Sequence, residues 1–116
     1  LVSLLLDTGH AAFAGIDPIN LVEKYGDRIL YVHLKDVRSD VLRQVEKKQL
    51  SFMDAVRAGV FTVPGDGSID FIRVWTALQK YRFTGWMIVE AEQDPQKAPP
   101  LEYAKKAFEY LRSFLF

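Results

Sequence analysis

Residues 1–10 read LVSLLLDTGH. An almost unbroken apolar run from Leu1 to Leu6 stops at Asp7; Thr8-Gly9 is then expected to turn the backbone, and His10 follows. A strand buried on both faces has this composition, and such strands belong to parallel sheets covered by helices. Strand alternation puts Ser3, Leu5 and Asp7 on one face. The pattern recurs twice. In a second strand, Arg28 to Lys35, Ile29-Leu30-Tyr31-Val32 leads into His33; Tyr31, His33 and Lys35 share one face, and Leu30, Val32 and Leu34 the other. In a third, Trp86 to Glu92, Trp86, Ile88, Glu90 and Glu92 share a face. Each apolar strand thus carries an oxygen or nitrogen ligand at its C-terminal end.

The segments between these strands read mainly as helices. Asp17-Pro18 is a helix start, with Asp as cap and Pro at the first helical position, after a small, Ala-rich loop from Gly9 to Ile16. That helix turns Ile19, Leu21, Val22 and Tyr25 inward and ends at Gly26. Ser39-Asp40 caps a polar helix, Val41 to Leu50, and Ser51 with Asp54 resembles a capping box opening a short helix, Phe52 to Ala58. So long an excursion after a strand more often covers a site than stabilises a core. Pro64-Gly65-Asp66-Gly67-Ser68 lacks the Gly-Lys-Ser/Thr of a phosphate loop, so it reads as a tight turn feeding a helix capped by Asp70, Phe71 to Tyr81. Asp94-Pro95 ends the third strand, and a last helix, Leu101 to Leu115, is expected to bury Leu101, Ala104, Phe108, Leu111 and Leu115. Strands alternating with helices predict an α/β fold, whose functional groups gather at the C-terminal ends of strands.

Composition narrows the function classes. The chain has 116 residues, no cysteine, 49% apolar residues and a formal net charge of zero. The apolar share predicts a single folded domain rather than disorder. The balanced charge offers nothing to nucleic acid or to an anionic membrane surface. Without cysteine there is neither disulfide nor thiolate metal site, which fits a cytoplasmic protein. No apolar run reaches the ~20 residues of a membrane span. No signal peptide is visible, and a start at Leu1 rather than Met is what a missing native N-terminus would leave.

Asp7, His33 and Glu90 form a nitrogen/oxygen ligand set suited to manganese, cobalt, magnesium or zinc. Singly, each has an ordinary explanation: a helix cap for Asp7, a hydrogen-bonded core residue for His33, a surface salt bridge for Glu90. Their equivalent positions at three strand ends make coincidence the weaker account. Glu90 and Glu92 point the same way, about 7 Å apart. Glu90, the deeper, is taken as the ligand, and Glu92 as a second carboxylate for the metal's surroundings or for substrate hydroxyls. His10 would bind a hydroxyl or carry a proton. Lys35 reads equally as a surface lysine or as an acid/base group with a pKa lowered by desolvation. Asp36 would either orient His33 or cap the turn before Ser39.

With these residues in hand, the sequence resembles the sugar isomerase/epimerase superfamily, the xylose-isomerase-like TIM barrels. LLLDTGHAAFAGIDP, YVHLKDVR, FTVPGDGSIDF and GWMIVEAEQDP resemble most the inosose dehydratases of bacterial inositol catabolism. The resemblance implies a Glu-Asp-His-Glu metal site of which Asp7, His33 and Glu90 match the last three members, with no counterpart of the first Glu. It implies loss of water from a 2-keto-inositol through a metal-stabilised enediolate, with manganese or cobalt and glutathione as cofactors. His10, Lys35 and Glu92 are then the acid/base candidates, their roles unassigned. A complete (β/α)8 barrel takes about 250 residues, so residues 1–116 are expected to be the C-terminal portion of one, its last three βα units. Open sheet edges and an uncovered apolar face then predict either self-association or a missing N-terminal half of the barrel, and little activity from this chain alone. Two other readings compete: a ketose epimerase or isomerase of the same superfamily, and a non-catalytic remnant module.

Overall fold

The computed structural model describes residues 2–116. The elements run β1 (Leu4–Asp7), α1 (Thr8–Phe13), α2 (Pro18–Tyr25), a 3-10 turn (Gly26–Arg28), β2 (Ile29–Leu34), β3 (Asp36–Val37), α3 (Ser39–Lys48), α4 (Phe52–Arg57), β4 (Phe61–Thr62), α5 (Phe71–Lys80), β5 (Trp86–Val89) and α6 (Pro100–Leu115). β1, β2 and β5 form a parallel sheet in the order β1-β2-β5. Leu6 and Asp7 lie beside Val32 and His33, and His33 lies beside Ile88.

One face of the sheet carries the core. Leu6, Val32, Leu34 and the partly buried Met87 pack on Ile19 and Val22 of α2, on Phe71, Val74, Ala77 and Leu78 of α5, and on Leu111 of α6. Each fully buried aliphatic side chain of this kind contributes roughly 1.5–3 kcal/mol. The other face is open: Leu5 is 53% exposed and Trp86 72%. The strands are therefore not buried on both sides, as their composition led one to expect. A second, smaller core joins Val37, Val45, Ala55, Val60 and Phe61. It seats the α3–α4 excursion on the antiparallel pair β3–β4, in which Asp36 lies beside Thr62 and Val37 beside Phe61.

Several boundaries differ from the sequence expectation for identifiable reasons. Leu1 lies outside the described residues. The segment after Asp7 is a helix rather than a turn and loop, because the Asp7 carboxylate accepts the His10 amide and caps α1. α3 begins at Ser39 with Arg38 at its cap and no side-chain cap bond, so Ser39-Asp40 does not cap it. The ladder of β5 ends at Val89, and Glu90 adds one further bond, from its amide to the Leu34 carbonyl (3.2 Å). In α6 the buried stripe is rotated: Ala107 and Leu111 are covered, Leu115 only partly, and Ala104, Leu101 and Phe108 face outward. Capping at Asp17, Ser51 and Asp70 is as expected.

Candidate active site

The C-terminal ends of β1, β2 and β5 bring together three residues far apart in the chain. Asp7, His33 and Glu90 each offer one ligand atom, and these atoms lie within 4.8 Å of one another. His33 Nδ1 is 3.6 Å from Asp7 Oδ2 and 2.5 Å from Glu90 Oε2. The latter pair lacks hydrogen-bond geometry, so Glu90 Oε2 is a buried oxygen without a hydrogen-bond partner. An orphaned carboxylate oxygen facing an imidazole nitrogen and a second carboxylate fits a divalent cation that accepts nitrogen and oxygen donors. Asp7 divides its carboxylate between two tasks, Oδ1 accepting the His10 amide at 2.9 Å while Oδ2 faces His33.

Lys35 stands at the centre. Its side chain is 1% exposed, so it is no surface lysine. Nζ lies 2.5 Å from Glu92 Oε1, 3.2 Å from Asp7 Oδ2, 3.4 Å from Glu90 Oε1 and 3.0 Å from His10 Nε2. His10 Nε2 is itself 3.0 Å from Glu92 Oε1, so Lys35, His10 and Glu92 close a triangle. Burial is the largest single influence on the Lys35 ammonium and pulls its pKa down, but the Glu92 bond and the Asp7 and Glu90 charges outweigh it, and the net direction is upward. The lowered pKa expected from desolvation alone is therefore corrected. Burial likewise works to raise the Glu92 carboxyl, and its bonds to Lys35 and His10 more than reverse that, leaving it lowered.

Local sequence explains how a lysine comes to lie here. The buried Thr8 hydroxyl donates to the Lys35 carbonyl (2.7 Å) and accepts the Lys35 amide (3.0 Å), fastening α1 to the chain leaving β2. A Cβ on Gly9 would sit 2.6–2.9 Å from Lys35 Cβ, Cγ and Cδ, so glycine is what lets the lysine stem cross α1. In the sequence the pair reads only as a turn, although a Thr-Gly pair in the first turn of a helix facing a lysine at the end of a strand is a usable signal.

Asp36 neither orients His33 nor caps the turn before Ser39. Its carboxylate is fully buried and accepts the amides of Val37 (2.8 Å), Ile69 (2.9 Å), Gly67 (3.0 Å) and Gly65 (3.3 Å). Burial raises its pKa, and the four amides hold it back only in part. The Pro64–Ser68 turn is thus wrapped around Asp36. Beside it, Asp66 accepts from Arg38 (2.9 Å), Thr62 (2.7 Å) and Lys106 (2.7 Å), tying the turn to α6. Arg38 also donates to the Gln93 side chain (3.1 Å), next to Glu92.

Residues 1–114 match the family described as xylose isomerase-like TIM barrel. The chain is 58% identical over 111 residues to a protein of Geobacillus kaustophilus named inosose dehydratase, covering 96% of this chain and 36% of that protein. It is 55% identical over 112 residues to one of the same name from Clostridium tetani, covering 97% of this chain and 38% of the relative. A third, from Lacticaseibacillus casei, is 54% identical over 110 residues, covering 95% and 37%. The chain therefore spans little more than a third of the length of these curated relatives.

Proposed function

The chain belongs to the xylose isomerase-like TIM barrel family, and from that premise we propose that it is the C-terminal portion of a metal-dependent hydro-lyase that removes water from a 2-keto-inositol. The observation that carries this reading is the convergence of Asp7, His33 and Glu90 beside the Lys35–His10–Glu92 triangle, in a chain 50–58% identical to proteins named inosose dehydratase. Residues 1–116 supply the last three βα units of the barrel. That the chain is a portion of a barrel is supported by the share of each relative covered, by the outer edges of β1 and β5 and by the open face around Leu5 and Trp86; its place at the C-terminal end rests on the family resemblance. Among the described residues no helix is long and apolar enough to cross a membrane.

Asp7, His33 and Glu90 would hold a divalent ion; their nitrogen and oxygen donors suit manganese, cobalt, magnesium or zinc, and the family resemblance favours the first two. When bound, the ion supplies Lewis-acid stabilisation of the negative charge that builds on the ketone as the α-proton leaves. The remaining work falls to the chain. Glu92, held ionised by Lys35 and His10, is the proton acceptor. The Lys35 ammonium, held against Glu92 and between the Asp7 and Glu90 carboxylates, donates to the β-hydroxyl as it departs as water. His10, half exposed at the outer corner of the triangle, exchanges the proton with solvent. Lys35 also orients Glu92, since the 2.5 Å contact fixes one of its two oxygens.

The test uses the full-length polypeptide carrying these residues. Manganese binding by calorimetry should weaken at least tenfold in each of Asp7→Ala, His33→Ala and Glu90→Ala. Turnover should be seen with 2-keto-inositol and not with ketohexoses. Unchanged manganese affinity in all three variants would sink the metal site, and turnover of ketohexoses alone would transfer the chain to the epimerases.

A further inference from the structure

One side of the site is aromatic, and the reaction proposed above makes no use of it. Phe52, the first residue of α4, stands edge-on to the His10 ring (centroids 5.7 Å, 77° between planes) and to Phe13 (5.5 Å, 82°). Phe61 lies under both, 5.4 Å from His10 and 5.8 Å from Phe52, and Lys35 Nζ sits 5.1 Å from its centroid. Phe61 is wholly buried, whereas Phe52 is 39% exposed. An exposed aromatic on a mobile loop would carry little meaning. Here α4 is pinned: Ser51 caps it, Ala55 is fully buried in the second core, and the Val60 amide returns to the Ala55 carbonyl (3.1 Å). Phe52 is thus a large apolar surface held rigidly beside polar groups, the arrangement by which pockets fix orientation.

Resting on the polyol-ketone reading, we propose that Phe52 is a specificity-determining residue: its ring is the apolar wall against which the C–H face of a six-membered cyclic polyol lies, while His10, Lys35 and Glu92 meet hydroxyls at the ring's edge. A cyclic polyol is two-sided in this sense, with hydroxyls around its rim and C–H bonds on its faces. An open-chain ketose has no fixed C–H face and must lose torsional freedom to present one, which lowers its affinity for a flat wall. Discrimination by one apolar contact is worth about tenfold or somewhat more.

The experiment measures binding of an unreactive cyclic polyol, myo-inositol, and of an open-chain one, sorbitol, to the full-length protein and to Phe52→Leu, Phe52→Ala and Phe52→Tyr, with thermal unfolding as a check on folding. Leu keeps bulk without a flat face, so it serves if Ala fails to fold. The expected result is about tenfold weaker myo-inositol binding in Leu and Ala, near-normal binding in Tyr, and sorbitol binding unchanged throughout. Equal losses for both polyols, or no loss for either, overturn the assignment of Phe52, and wild-type turnover of keto-inositol then leaves the dehydratase reading standing. A wild-type protein that neither binds myo-inositol nor turns over keto-inositol overturns both.

Discussion

Replacing Asp36 tests whether the Pro64–Ser68 turn rests on a buried carboxylate outside the ligand set. Four backbone amides converge on it, two on Oδ1 from Val37 and Ile69 and two on Oδ2 from Gly65 and Gly67. Hydrogen bonds to a charged group contribute about 1.5–3 kcal/mol each, and an amide left unpaired costs about 1–3 kcal/mol. Against this stands the cost of burying the carboxylate, several kcal/mol, which the upward direction of its pKa reflects. Asp36→Ala removes that cost and orphans all four amides, so a net loss of about 3–5 kcal/mol is expected. Asp36→Asn keeps an oxygen for one pair of amides and turns an NH2 toward the other, so roughly half that loss is expected. Urea unfolding of the two variants and the wild type, with exchange of the Gly65, Gly67 and Ile69 amides followed by NMR, reads both effects. Those amides should pass from protected to fast-exchanging in Asp36→Ala. An alanine variant within about 1 kcal/mol of wild type, its amides still protected, would refute the idea that Asp36 holds the turn.

Four other expectations follow from the same geometry. Asp66 has its carboxyl held low: burial, its largest influence, works to raise it, but the bonds from Lys106 and Thr62 and the nearby Arg38 prevail. Its stabilising contribution is therefore present above the ordinary carboxylate pKa of about 4 and is lost as pH falls through the lower folded value. The unfolding free energy of wild type over Asp66→Asn, about 1–2 kcal/mol at neutral pH given partial exposure, should shrink below about pH 4. Lys35→Met removes the cation between three carboxylates, so metal-free stability should fall by about 2–4 kcal/mol while manganese affinity by calorimetry rises; weaker manganese binding would contradict the placement of Lys35. Gly9→Ala must displace the Lys35 stem, so kcat should fall by at least about tenfold, with a smaller change in Tm than Asp36→Ala produces. Asp7→Asn should retain the α1 cap, since Asn caps as well as Asp, yet weaken metal binding, whereas Asp7→Ala should lose about 1 kcal/mol more stability by urea unfolding.

The three site-bearing strands could be read from the sequence because parallel strands advertise themselves as apolar runs and because ligand-type residues at their ends interrupt those runs abruptly. Helix starts at Asp17, Ser51 and Asp70 were legible for a local reason: the cap and its amide are neighbours in sequence. What stayed hidden depends on contacts between distant segments. Composition could not tell that Lys35 is buried, because its burial depends on Gly9 lacking a side chain 26 positions earlier. It could not give Asp36 its role, because the amides it binds lie up to 33 residues away. In α6, several apolar residues are spread around the helix, so periodicity alone allowed a stripe through Leu101 and Phe108, whereas packing against α5 and the sheet selects Leu111, with Ala107 covered one turn earlier.

The two groups of site residues differ in how firmly the fold fixes them, and that difference bears on mechanism. Asp7 and His33 sit on paired strands, and Glu90 follows β5 by a single ladder bond, so their separation is set by strand spacing. Glu92 and His10 lie beyond the sheet, one on the segment after β5 and one on the first turn of α1. The Lys35 side chain contacts both groups, with Asp7 and Glu90 on one side and His10 and Glu92 on the other. A movement of the Gln93–Ala98 segment would change the triangle at Glu92 without disturbing the spacing of the three ligands, whereas α1 is tied to Asp7 by its cap. If the acid/base work is done by the triangle, substitutions that loosen it, such as Gly9→Ala, should lower kcat while leaving manganese affinity nearly intact. A parallel fall in both would mean that the two groups form one rigid unit.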